Sequence, residues 1–117
     1  MNKIIVTGAT GYIGAKLCEC LLKNGFETGI IKRPLSNIKL LTNFYDKLTS
    51  FDYDGSYQSI YNSINLFKPD AVIHLASYQI YEHAQNEIDD ILDSNIVLGT
   101  YLIEAQRSLK VRYLINV

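Results

Sequence analysis

Apolar residues along this chain fall into two patterns. Short unbroken runs, rich in β-branched residues, alternate with longer stretches in which apolar positions return every three or four residues. Lys3 to Thr7 (KIIVT) is the first short run and reads as a buried strand. From Tyr12 to Asn24 the residues Ile13, Leu17, Cys20, Leu21 and Leu22 stand at helical spacing, and Asn24-Gly25 closes the segment as a helix end does. Thr28 to Lys32 reads as a second strand, stopped by Arg33-Pro34. Ile38, Leu41 and Phe44 repeat at i, i+3, i+6, which predicts a short helix within Ser36 to Lys47. Leu48 to Phe51 is the third strand. Ser56 to Phe67 is an amphipathic helix with Tyr57, Ile60, Tyr61, Ile64 and Phe67 on one stripe and Ser56 as its N-cap. After the Pro69-Asp70 turn, Ala71 to Leu75 (AVIHL) is the fourth strand. Ile88, Ile91, Asn95, Leu98, Leu102, Ala105 and Leu109 mark a long helix, and Val111 to Val117 is the fifth strand.

Strands that alternate with helices argue for a parallel sheet covered on both faces. Right-handed crossovers then favour an α/β doubly wound sheet of order 3-2-1-4-5. The 117 residues suffice for one domain with one core, and no repeat, low-complexity tract or linker interrupts them. A net charge of -1 gives no argument for a nucleic acid or an anionic membrane as partner. No apolar stretch approaches the roughly 20 residues of a membrane span. The N-terminus (MNKIIVTGAT) lacks a signal peptide's apolar region and cleavage site, so a cytoplasmic location is expected. Cys18 and Cys20 stand two apart on a helix, point to different sides, and read as small helix residues rather than a disulfide or a metal site.

Candidate chemistry lies in VTGATGYIG, Val6 to Gly14, where Gly8, Gly11 and Gly14 recur at spacings of three. Glycine inside a helix or strand costs about 0.5–1 kcal/mol relative to alanine. The triplet follows a strand and opens a helix. A helix N-terminus carries unpaired N–H groups and partial positive charge, and a phosphate reaches them only where side chains are missing. Gly8 then makes the tight turn, Gly11 lets the backbone meet a pyrophosphate, and Gly14 lets the helix pack against the strand. A purely structural turn would account for one glycine, not three.

These residues resemble the extended short-chain dehydrogenase/reductase family, the NAD(P)-dependent nucleotide-sugar epimerases, dehydratases and reductases. Thr7-Gly8-Ala9-Thr10-Gly11-Tyr12-Ile13-Gly14 matches the family's TGxxGxxG loop. Pro69 to Ser77 (PDAVIHLAS) is similar to its PDxVIHLAA segment. Asp52-Tyr53 resembles the pair that meets the adenine, and Ser94 to Thr100 with Glu104-Ala105 resembles the NxxGT…EA helix. The resemblance implies a Rossmann-type fold holding NAD(P) through Gly8, Thr10, Gly11, Tyr12, Ile13 and Gly14 at the phosphates. It implies Asp52 and Tyr53 at the adenine, with a plain loop carboxylate as the alternative for Asp52. It places Leu75, Ala76 and Ser77 beside the ribose and nicotinamide. His74 reads as a packed strand residue, and Asn95 as the asparagine that helps hold the family's active-site lysine through water.

An acidic residue at the end of strand two selects NAD, and a nearby arginine accommodates the 2′-phosphate of NADP. Here that position falls on Lys32, followed by Arg33, with no carboxylate between Glu27 and Asp46. NADP is therefore expected over NAD; the alternative is a solvated Lys-Arg pair. The family's catalytic Tyr-x-x-x-Lys is expected after strand five. Tyr12 and Lys16 alone have that spacing here, on the wrong helix. The expectation is the N-terminal part of a longer enzyme, truncated after strand five, without the sugar-binding lobe, inactive by itself, and forming a dimer or other pairing through its exposed strand edge or the flanking helices. A non-catalytic dinucleotide-sensing module is the alternative. A methyltransferase-type reading leaves HLAS unexplained.

Overall fold

The computed structural model describes residues 2–76 and 96–117. Five strands form one parallel sheet: β1 (Lys3–Thr7), β2 (Glu27–Lys32), β3 (Thr49–Asp52), β4 (Ala71–His74) and β5 (Tyr113–Asn116). Their order is β3-β2-β1-β4-β5, the expected doubly wound arrangement. Among the described residues three helices cover it: α1 (Tyr12–Lys23), α2 (Tyr57–Phe67) and α3 (Leu98–Leu109).

Alternation along the strands divides the core in two. Ile4, Val6, Ile30 and Ile73 face α1 and the β2–β3 connection, where Ala15, Cys18, Leu41, Phe44 and Leu48 are buried. Ile5, Ile31 and Val72 face the other way, against Ile60, Ile64 and Phe67 of α2 and Leu98, Leu102 and Ala105 of α3. The α2 stripe is thus as expected. Its two tyrosines are half-buried, and Tyr57 meets Tyr101 of α3 edge-on with ring centroids 5.7 Å apart. Ser56 caps α2 by accepting the Ser59 N–H at 3.2 Å.

Two expectations are corrected. Ser36 to Lys47 holds no α-helix but two 3₁₀ turns, Lys39–Leu41 and Tyr45–Lys47. A strict three-residue period suits three residues per turn, and it brings Ile38, Leu41 and Phe44 inward. On α1, Ile13 and Cys20 are exposed, and the buried positions are Gly14, Ala15 and Cys18. Small residues face the sheet because the helix lies close to it. The first part of the long helical pattern, with Ile88, Ile91 and Asn95, falls outside the described residues.

The two ends of the sheet are built differently. At the end where β1 and β4 begin, Asp70 Oδ2 accepts the Asn2 and Lys3 N–H groups at 2.8 and 2.9 Å, and Asp70 N–H donates to the Lys3 carbonyl at 2.7 Å. At the same end α2 and α3 finish in left-handed residues, Lys68 (φ 53°) and Lys110 (φ 59°). The Gly8–Gly14 turn lies at the opposite end, where β1 finishes.

Candidate functional site

β1 leaves the sheet through Gly8, whose φ of 76° suits glycine. A Cβ there would lie 2.7 Å from the Ala76 nitrogen and the Leu75 carbonyl carbon, backbone atoms that cannot give way. A Cβ on Gly14 would overlap the Gly8 carbonyl oxygen and stand 2.7 Å from Ala9 Cα. Both glycines are therefore required by the protein itself. Gly11 differs. Its φ of -81° and ψ of 173° are ordinary extended backbone, and its Cβ would meet only the Gly8 carbonyl oxygen at 3.6 Å. Packing does not explain the missing side chain at Gly11. Gly11 is also the N-cap of α1, with no side-chain cap and no acidic residue in the first turn, unlike α2 with Ser56.

The glycine turn opens onto a cleft of about 330 Å³ at the point where the strand order reverses. Gly8, Thr10 and Gly11 form one wall, and Leu75, Ala76 and Leu98 another. Ile31, Lys32, Arg33, Ser36 and Tyr53 close the far end. Among the described lining residues two carry positive charge and none is a carboxylate.

Sequence reasoning missed Ile31, Ser36 and Leu98. For Ser36 the sequence signal was the Arg33-Pro34 stop: residues 33–36 form the turn that ends β2, with the Ser36 N–H donating to the Arg33 carbonyl at 3.1 Å. Tyr12 and Ile13 are 73% and 72% exposed and do not line the cleft with their side chains. Lys16 shares their helix, and its ammonium stands 3.9 Å from Glu19. Ser77 lies outside the described residues.

The end of β2 holds a contact the sequence reading did not foresee. Lys32 and Asp52 are register partners, and Lys32 Nζ stands 2.8 Å from Asp52 Oδ1. Tyr53 N–H donates to the Lys32 carbonyl at 2.7 Å, and the Arg33 guanidinium stands 5.6 Å from the centre of the buried Tyr53 ring.

The opposite wall is fixed by buried hydrogen bonds. Thr7 Oγ1 lies 2.6 Å from His74 Nδ1 and accepts the Ala76 N–H at 3.2 Å. Burial pushes the His74 imidazole below its ordinary value. His74 is a strand residue that does not line the cleft, and its contact with Thr7 holds the β4 exit against the glycine turn.

A doubly wound sheet with a glycine-walled, cationic cleft at its switch point is the architecture in which α/β domains seat their ligands. Residues 4–117 match the NAD dependent epimerase/dehydratase family, and the chain belongs to that family. It is 29% identical over 115 residues to CDP-abequose synthase of Salmonella muenchen, a match that covers 98% of this chain and 36% of that protein. It is 30% identical over 112 residues to dTDP-glucose 4,6-dehydratase of Salmonella typhimurium, covering 90% and 31% of the two chains. The fold matches UDP-glucose 4-epimerase from Stenotrophomonas maltophila, solved with bound NAD and formylated UDP-arabinopyranose. The TM-score is 0.85 at 22% identity, covering 99% of this chain and 36% of that one. It also matches the Bordetella bronchiseptica enzyme WbmH, solved in complex with NAD+, with a TM-score of 0.80 at 24% identity, covering 97% and 38%. The chain spans about a third of the length of the curated relatives it matches. Among the described residues no helix is long and apolar enough to cross a membrane.

Proposed function

We propose that residues 1–117 are the dinucleotide-binding portion of a nucleotide-sugar epimerase, dehydratase or reductase, and that the portion takes NADP in preference to NAD. Gly11 carries this reading. It stands at an uncapped helix N-terminus, faces the cleft, and lacks a side chain that packing would allow. A pyrophosphate seated there accepts hydrogen bonds from backbone N–H groups at the start of α1. Leu75 and Ala76 border the ribose and nicotinamide, and Tyr53 borders the adenine.

The preference for NADP rests on Arg33 and Ser36, which line the far end of the cleft on one turn. Arginine offers a ribose 2′-phosphate a forked, charge-assisted contact. In the whole protein the bound cofactor would exchange hydride with a sugar carbon.

The unpaired thiols of Cys18 and Cys20 fit a cytoplasmic location.

Calorimetric titration with NADPH and NADH tests the cofactor. NADPH is expected to bind more tightly, and Arg33→Ala to weaken NADPH about tenfold or more while leaving NADH nearly unchanged. Tighter binding of NADH by the unmodified chain would refute the preference. Absence of binding for both would refute the site.

A further inference from the structure

We propose that the Lys32–Asp52 ion pair sets dinucleotide choice: Lys32 neutralises the carboxylate at the end of β3, so that a ribose 2′-phosphate can be seated on Arg33. This inference rests on the NADP reading above and gives Lys32 and Asp52 roles within it.

The parallel register places Lys32 directly opposite Asp52 at the cleft end of β2 and β3. The ammonium is committed to the carboxylate at 2.8 Å, and the Lys32 side chain is only 11% exposed. A second, longer bond runs from Lys32 Nζ to the Arg33 carbonyl at 3.4 Å. Lys32 is therefore held in place and faces Asp52. Asp52 is 56% exposed and does not line the cleft, yet it adjoins a residue that does. Tyr53, next in the chain, joins the group by donating to the Lys32 carbonyl and lying beneath Arg33.

The charges in this cluster decide the outcome. Lys32, Arg33 and Asp52 sum to one positive charge. Without Lys32 the sum is zero and Asp52 is uncompensated; without Asp52 it is two positive charges. A bare carboxylate in this cluster repels a phosphate dianion seated on Arg33. Lys32 suppresses that repulsion. It is a positioning residue here, acting on the ligand through Asp52 rather than by touching the phosphate.

The probes are 2′,5′-ADP and 5′-AMP, which differ by the 2′-phosphate alone and need no nicotinamide half. Binding to the unmodified chain, Lys32→Met, Asp52→Asn and the double variant is measured by calorimetry, with melting curves to verify folding. An uncompensated charge within about one Debye length of a dianion shifts its affinity about tenfold. Lys32→Met is expected to weaken 2′,5′-ADP by about that factor and to leave 5′-AMP within about threefold. Asp52→Asn, which keeps both cations, is expected to strengthen 2′,5′-ADP. The double variant is expected to return the ratio of the two affinities to within about threefold of the original.

Equal losses of 2′,5′-ADP in Lys32→Met and in the double variant would mean that Lys32 touches the phosphate itself, and would overturn the proposal. Unchanged ratios in all variants would reduce the pair to a structural contact and overturn it as well. Arg33→Ala separates the two layers. If it abolishes a preference for 2′,5′-ADP while the Lys32–Asp52 cycle shows no coupling, only this inference fails. If the unmodified chain shows no such preference, the NADP reading fails and takes the inference with it.

Discussion

Exchanging single glycines for alanine in the β1–α1 turn should separate the needs of the protein from those of its ligand. At Gly11 an added Cβ meets one atom at ordinary contact distance, 3.6 Å, and the backbone is already in a conformation alanine adopts. Alanine there narrows the unfolded ensemble, a gain of about 0.4–1 kcal/mol, but it is a poorer N-cap than glycine by a comparable amount, so the stability of the chain should change by less than about 1 kcal/mol. With an unfolding entropy of about 0.25 kcal/mol/K for 117 residues, Tm should stay within about 4 °C of the original. The same methyl group stands between the α1 backbone and a phosphate. Loss of one charge-assisted hydrogen bond, about 1.5–3 kcal/mol, should weaken dinucleotide binding by about 10- to 150-fold. At Gly14 the methyl group collides with the Gly8 carbonyl and crowds Ala9 Cα at 2.7 Å, so the helix must move. Overpacking of this kind costs about 1–3 kcal/mol, a fall of about 4–12 °C. Melting curves followed by circular dichroism, paired with calorimetric titration of both dinucleotides, read both quantities. A Gly11→Ala chain that melts near the original and binds as well would show that Gly11 serves no phosphate. A Gly11→Ala chain that melts as low as Gly14→Ala would show the steric argument to be wrong.

Three further outcomes are expected. Thr7→Val keeps the shape of a fully buried side chain but removes the hydrogen bonds to His74 Nδ1 and Ala76 N–H; it should cost about 1–3 kcal/mol, seen as a fall in Tm of about 4–12 °C. Burial pushes the Cys18 thiol up to about 12, whereas Cys20 is exposed; a thiol-titrating reagent at mild alkaline pH should count one cysteine in the folded chain and two after denaturation. The backbone N–H groups of Asn2 and Lys3 hold the Asp70 carboxyl below its ordinary value. Because the folded value is depressed, the stability it contributes is complete above the unfolded value and is lost as pH falls through the folded one. Asp70→Ala should therefore flatten the acid side of a Tm-against-pH curve, and an unchanged slope would remove Asp70 from that role.

Local signals made most of the fold legible, and the failures have physical causes. Runs such as KIIVT and AVIHL are too short and too apolar to be surface helices, and they became the central strands. The i, i+3, i+6 spacing of Ile38, Leu41 and Phe44 is a three-residue period, which the chain realises as 3₁₀ turns rather than an α-helix. On α1, Leu17, Leu21 and Leu22 pack against the core but Ile13 and Cys20 do not, and the fully buried positions are Gly14, Ala15 and Cys18, because close approach to the sheet favours small residues. The glycine turn was legible because it is contiguous. The Lys32–Asp52 pair was not, since 20 residues separate its members and only the strand register brings them together. Leu98 reaches the cleft from a helix distant in sequence, and no local pattern marks such an arrival.

The left-handed lysines that finish α2 and α3 bear on how freely the chain can diverge. Each tolerates a conformation that glycine or asparagine adopts more easily, and each places an ammonium near the negative end of a helix dipole. Drift at positions 68 and 110 can therefore trade conformational ease against charge with little net effect. Positions 8 and 14 have no such latitude, because neighbouring main chain occupies the space any side chain would need. Across distant descendants of this sequence, variation should accumulate at the helix ends and spare the opposite rim.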